Sequence, residues 1–436
     1  MKKLLILGTL LVFAMASAQT TVTIASVNNP DMETMQQLST QFEEENPDIE
    51  LEWLFLDEGT LRSRLTTDVA TGSGSFDLVT VGAYETPIWA ANEWLVSVDQ
   101  LSSEFPDAVE GYNVDDFLPA IADGLRYEDE LYAVPFYGES SMTMYNQRLL
   151  EEAGQTMPEA PTWEEIREIA CEVHDPENGV YGIALRGKPG WGDNMAPITT
   201  VVNTFGGQWF NEEGVPQLDS PEWNEAITFY RDLATECGAP GLTGNSFPEI
   251  LQLMSTGQAA IWVDATVAAG FLSNTDAGPD MAYALAPVGP VEKGNQWLWS
   301  WNLGIPSSSD AQEAAFRFMT WATSPAYAEI VAEANGWAAV PPGTRASLYE
   351  NPEYLEAASF APIVEGAIES ADPTDSTANP IIAPGVQFVS IPEFSGIGND
   401  VAQIVAEILA GDVSVEDGLA EAQQVADQGM QDAGYY

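Results

Sequence analysis

Between Thr21 and Glu85 the hydrophobic pattern changes period four times, and this alternation constrains the fold more than any other feature. TVTIASVNN alternates apolar and polar residues and reads as a strand that ends in a polar turn. Met32, Met35, Leu38 and Phe42 then share one face of a helix that stops before NPDIE. IELEWLFL is a second strand, LRSRLTTDVATGS a helix closed by glycine, and FDLVTVGAYE a buried third strand. The order β-α-β-α-β predicts an α/β fold with a mostly parallel sheet covered by helices on both faces. Ligands of such sheets bind beyond the carboxyl ends of the strands, which predicts a rim carrying Asn28, Asn29, Gly82, Tyr84 and Glu85.

The amino terminus reads as an export signal. Lys2 and Lys3 precede an apolar run from Leu4 to Ala16, and Ala16-Ser17-Ala18 is a small-residue cleavage site. Residues 1–18 are thus expected to be removed, giving a soluble chain that starts at Gln19 in the periplasm or outside the cell. The remaining length accommodates more than one sizeable core. With 67 acidic and 13 basic residues, the net charge is −54. Nucleic acid and anionic lipid repel such a chain. The carboxylates are dispersed through foldable segments, which is expected of a protein adapted to salt or of a lineage-wide acidic bias. Cys171 and Cys237 are either a disulfide or two buried thiols. His174 is the single histidine, so no zinc site is expected; no dense Asp/Glu cluster points to another metal, and no cofactor is expected.

Around ELYAVPFYGESSMTMYN the chain reads as a strand, a Pro-Phe-Tyr-Gly turn and a second strand that crosses into another α/β lobe. There QRLLEEAG, PTWEEIREIACEV, NEAITFYRDLATECG and FPEILQLMSTG read as helices. VYGIALRG, GQAAIWVDA and WLWSWNLGIP read as strands, and a helical region closes the chain.

FEEENPDIELEW, FDLVTVG, LYAVPFYGESSMTMYN, PTWEEI, GQAAIWVDAT, NLGIPSSSDAQEAAFRFMTWATS and GDVSVEDGLAEAQ occur in an order that resembles the family 1 extracellular solute-binding proteins, the maltodextrin-binding-like group. ASVNNPDM, GAYETPIW, GIALRGKPGWGDNMA, WVDATVAAGF, GWAAVPPGTRASLYENPEY and GVQFVSIPEFSGI carry a narrower similarity to the sorbitol/mannitol-binding proteins of polyol importers. The resemblance implies a two-lobed periplasmic binding protein fold of type II, with a ligand cleft between lobes that close on the ligand. Lobe 1 is then expected over 19–137 plus 300–342, and lobe 2 over 138–299 plus 343–436. It also implies a monomeric substrate-binding subunit of an ABC importer that delivers a sugar alcohol, or another mono- or disaccharide, to a membrane permease.

Carboxylates, amides and guanidinium groups bind vicinal hydroxyls, while aromatics cover C–H faces. Glu139 lies at the crossover, where the family places an acidic contact; it is otherwise a hinge residue bonded to backbone. Asn28 and Glu85 follow strands and read as ligand contacts, or as a turn former and a surface acid. Arg186 ends a strand and is placed to contact the ligand or to orient Asp193. Trp191, Asp193 and Asn194 lie in a glycine-punctuated polar loop. Asp264 is a contact or a helix cap, and Trp299 and Trp301 share one strand face. Trp337 and Arg345 enter the set through the narrower resemblance alone. Removing Arg186 or Glu139 is expected to weaken binding and leave folding nearly untouched. A secreted glycosidase would need a carboxylate pair and nothing more, but no GxSxG, HExxH or phosphate-binding glycine loop supports an enzyme.

Overall fold

The computed structural model describes residues 19–436. The predicted export signal, residues 1–18, lies outside the described residues. Eleven strands occur among them: β1 (Thr20–Val27), β2 (Ile49–Leu56), β3 (Leu78–Gly82), β4 (Arg126–Tyr127), β5 (Glu130–Leu131), β6 (Val134–Glu139), β7 (Ser141–Asn146), β8 (Tyr181–Ala184), β9 (Ala259–Ala265), β10 (Met281–Leu285) and β11 (Trp299–Gly304). They form two main sheets, ordered β2-β1-β3-β11-β6 and β10-β7-β9-β8, with β4 and β5 a separate short hairpin. The molecule is a two-lobed α/β protein.

The first lobe follows from local chemistry. β1 runs parallel to β2 and β3, as the alternating β-α-β pattern requires. Helix α1 (Pro30–Glu45) starts where the Asn29 side chain accepts from the Met32 amide at 2.9 Å, with Pro30 in the first turn. Its Met32, Met35 and Phe42 are buried. Helix α2 (Glu58–Thr71) is capped by Asp57, whose carboxylate accepts from the Thr60 amide. It ends at Gly72, whose φ of 62° is left-handed and comfortable only for glycine. β11, from far along the chain, inserts antiparallel between β3 and β6, so the sheet is mixed rather than wholly parallel.

One expected turn is a strand. Val134-Pro135-Phe136-Tyr137-Gly138-Glu139 is β6, paired to β11 from Trp299↔Glu139 to Leu303↔Val134. A proline is tolerated here because β6 is an edge strand and its register with β11 shifts beside Pro135, between Trp301 and Asn302. Gly138 faces the carbonyl of Gly343 so closely that a Cβ would collide with it.

The chain leaves the first sheet at Glu139 and enters the second at Ser141, with Ser140 alone between them. It returns between Leu285 and Trp299. Helices Trp163–Val173 and Pro221–Cys237 of the second lobe are joined by the Cys171–Cys237 disulfide. Helix Phe394–Ala410 packs on helix Val415–Asp432, which also packs on Pro221–Cys237, so the carboxyl-terminal helices belong with the second lobe. The segment around Arg345 instead bridges to Phe117, and the Leu118 amide donates to the Thr344 carbonyl at 2.9 Å, on the first-lobe side.

Candidate functional site

A cavity of about 340 Å³ opens where the two sheets meet, and both lobes supply its walls. From the first lobe, Asn28 and Asn29 leave the end of β1, and Asp57, Glu58 and Arg62 come from the cap and first turns of α2. Tyr137 and Glu139 end β6, and Trp299 and Trp301 line the cavity from β11. The second lobe supplies Arg186, Lys188, Trp191 and Asp193 from the loop after β8, with Ser246, Phe247, Trp297 and Gln387 from other segments.

Arg186 is held in place by protein groups. Its Nε and Nη2 donate to the two carboxylate oxygens of Asp264 at 2.8 and 2.5 Å, and Nη1 donates to the Gly192 carbonyl at 3.0 Å. Asp264 also accepts from Trp262 Nε1 and from the Ala265 amide. The side chains of the pair are only 7% and 1% exposed. Burial disfavours the Arg186 charge, but Asp264, helped by Asp193 and Glu58, outweighs it and holds the guanidinium above its usual pKa. Asp264 is therefore a buried anchor that aims Arg186 rather than part of the cavity wall. Breaking a buried pair leaves an uncompensated charge, so the expectation that removing Arg186 spares folding does not fit this geometry.

Glu139 is buried, and its side chain has no hydrogen-bond partner among the described residues. Burial drives its carboxyl well above the usual range, Arg186 opposes this, and Asp264, Glu58 and Asp31 add to it. A carboxyl that holds its proton can both donate to and accept from a hydroxyl. Asp193 accepts from Ser246 Oγ. Its pKa is raised by burial and by Glu58, against Ser246, Arg186 and Lys188. The indole N–H groups of Trp191 and Trp297 are buried without partners among the described residues, on the same walls. These donors and acceptors suit a ligand dense in hydroxyls.

Not every residue singled out from sequence reaches the cavity. Asn28, Glu139, Arg186, Trp191, Asp193, Trp299 and Trp301 line it. Glu85, at the start of helix α3 (Glu85–Ala91), stands behind the wall and pairs with Arg62 Nη1. Asn194 turns away and donates to the Ala402 carbonyl at 3.1 Å, bracing its loop on helix Phe394–Ala410. Trp337 and Arg345 are elsewhere, lining a separate hollow of about 230 Å³. Arg345 donates from Nε and Nη2 to the Thr323 carbonyl at 3.1 and 2.9 Å, and from Nη1 to the Asn113 carbonyl and Asp116. Thr323 ends helix Gln312–Ala322, so this guanidinium serves a helix carboxyl terminus.

Sequence reasoning passed over Arg62, Glu58, Lys188, Ser246, Trp297 and Gln387. A signal existed for the cations. Three of the chain's 13 basic residues, Arg62, Arg186 and Lys188, line this one cavity of a protein with 67 acids. Glu58 and Arg62 are also spaced i,i+4 on a readable helix.

Two α/β lobes with a polar, partly aromatic cleft between them define the architecture of a solute-binding protein. Residues 26–329 match the bacterial extracellular solute-binding protein family, and the chain belongs to it. It is 46% identical over 424 residues to the mannitol-binding protein of Pseudomonas aeruginosa, covering 97% of this chain and 95% of that one. The crystal structure of an ABC transporter solute-binding protein from Agrobacterium vitis with bound D-mannitol superposes with a TM-score of 0.92 at 47% identity, covering 95% of this chain and 99% of that chain. A second such protein, from Agrobacterium radiobacter in complex with ribitol, gives a TM-score of 0.81 at 25% identity over 94% of this chain and 99% of that chain. These relatives are binding proteins.

Proposed function

We propose that this protein captures an open-chain sugar alcohol of the mannitol or sorbitol type in the interlobe cleft, releases it unchanged, and delivers it to the membrane permease of an ABC importer. The observation that carries this reading is the composition of the cleft wall. Arg186 held by Asp264, the unpartnered Glu139 carboxyl, Asp193, Asn28 and the free indole N–H groups of Trp191 and Trp297 converge on about 340 Å³. An acyclic polyol presents a hydroxyl at every carbon and no flat C–H face, so hydrogen-bonding groups rather than stacking platforms select it. The volume sits at the small end of ligand pockets. The ligands of those relatives, mannitol and ribitol, belong to the same class. Family membership supports a place outside the cytoplasm and a permease partner.

Titration calorimetry with D-mannitol, D-sorbitol, ribitol, maltose and maltotriose tests this. One-to-one binding of a hexitol without maltotriose binding, and recovery of the hexitol unaltered, is the expected result. Tight maltotriose binding with silence toward every polyol would refute the ligand class and leave the binding-protein class standing.

A further inference from the structure

We propose that Arg62 is a specificity-determining residue that excludes ring sugars by covering the aromatic faces of the cleft. This rests on the polyol reading above. The Arg62 guanidinium carbon lies 4.2 Å from the ring centroid of Trp191, 4.8 Å from that of Trp301 and 5.0 Å from that of Trp299. These are the indoles that could serve a pyranose as platforms. Two come from β11 of the first lobe and one from the second-lobe loop, so the guanidinium is packed between the lobes.

Arg62 is held there firmly. Its Nε and Nη2 donate to Glu58 Oε1 at 3.2 and 2.9 Å, and Nη1 donates to Glu85 Oε1. Its side chain is 11% exposed. Burial disfavours its charge, but Glu85 and Glu58 more than offset this. Gly82 makes the arrangement possible, because a Cβ there would collide with the Trp299 ring and Glu85 Oε2.

An indole face attracts a cation and the C–H face of a pyranose through the same electron-rich surface. Here the cation already occupies the surface, and a ring sugar would have to displace a buried, doubly ion-paired arginine. An open-chain polyol makes no such demand, since hydroxyls are read by Arg186, Glu139 and Asp193 instead. Glu58 and Glu85 then act as positioning residues for Arg62.

The test is the ratio of two dissociation constants, D-mannitol or D-sorbitol against methyl α-D-mannopyranoside, whose ring cannot open. Titration calorimetry on the wild type, Arg62→Ala and Arg62→Met reads it. Arg62→Ala uncovers the indoles and should shift the ratio toward the pyranoside by about tenfold or more. Arg62→Met keeps a side chain over the rings without charge and should hold the ratio within about threefold of wild type. A merely structural role would weaken both ligands together and leave the ratio alone, which would overturn the proposal. A collapsed ratio in Arg62→Met would overturn it too, since charge and not coverage would be the cause. If Arg62→Ala does not fold, Arg62→Ser, equally short and uncharged, reads the same ratio and should show the same direction of shift. A wild type silent to all hexitols would sink the ligand class; pyranoside binding gained only in the truncated variant would still support the shielding, and none gained would end it.

Discussion

Two buried arginines, Arg186 and Arg345, were both candidates for the ligand site, and the structure separates them. Each sits in or beside a glycine-rich polar stretch, RGKPGWGDN and GWAAVPPGTR, and each is close to fully buried. Arg186 is fixed by one carboxylate, Asp264, and lines the cleft. Arg345 is consumed by the carbonyls of Thr323 and Asn113 and by Asp116, with Phe117 and Tyr112 against its guanidinium. Burial and residue type are shared, so neither identifies a site. What differs is that the Asp264 carboxylate holds Arg186 against the cleft wall, whereas the Thr323 and Asn113 carbonyls and Asp116 hold Arg345 away from it.

The largest expected effect breaks that comparison at Arg186. Arg186→Ala leaves Asp264 buried and uncompensated and should cost about 3–5 kcal/mol of stability. It should also weaken polyol binding by roughly a hundredfold. Thermal unfolding and calorimetry below the lowered melting temperature read the two losses separately; a stable variant with intact affinity would remove Arg186 from the site.

Arg345→Ala should cost about 2–4 kcal/mol, because it strips partners from a helix terminus and from Asp116. Polyol affinity in the folded fraction should stay within about twofold. A large affinity loss at unchanged melting temperature would return Arg345 to the cleft.

Asp31 sharpens the comparison from the opposite sign of charge. It is buried in the first turn of α1, its Oδ2 has no partner among the described residues, and burial raises its pKa from 3.8 to about 8. In the unfolded chain it releases its proton near pH 4, whereas in the folded chain it keeps it to about pH 8. Its contribution is therefore full below pH 4 and is lost as pH rises toward 8. Asp31→Asn should be near neutral at pH 4 and stabilising by on the order of a few kcal/mol at pH 8, the helix dipole reducing the figure. Equal effects at both pH values in denaturant melts would show that Asp31 ionises freely.

The smallest expected effect is a null difference. The melting temperature should climb with sodium chloride, since the net charge is −54 and the Debye length falls from about 30 Å at 0.01 M to about 3 Å at 1 M. The gap between wild type and Arg345→Ala should stay constant, because buried interactions are little screened. A flat salt curve would refute adaptation to salt, and a closing gap would place Arg345 in contact with solvent.

The α/β alternation was legible because β1, α1, β2, α2 and β3 are short-range patterns with clean periods. β6 was not. Pro135 and Gly138 carry turn chemistry, and only the remote partner β11 and the backbone of Gly343 explain why an edge strand accepts them. Glu139 and Arg186 were readable as residues at strand ends. Arg62 was hidden because it lies in the second turn of a helix, and its meaning depends on indoles more than a hundred residues away. Asn194 and Glu85 carry the right chemistry and point to structural partners, a distinction that lies in side-chain direction and not in residue type.

Ser140 has a mechanical consequence. Glu139 is bonded into the first sheet opposite Trp299, Ser141 is paired in the second opposite Ala265, and the one residue between them exchanges hydrogen bonds with Thr266. A joint one residue long permits rotation and almost no sliding. If the lobes rotate, Ser140 would act as the fulcrum of a lever, with the cleft as the jaw. Glu139, beside that joint, would travel little in such a rotation, whereas the contact of Arg62 with Trp191 is made across the two lobes and would have to part for the cleft to open.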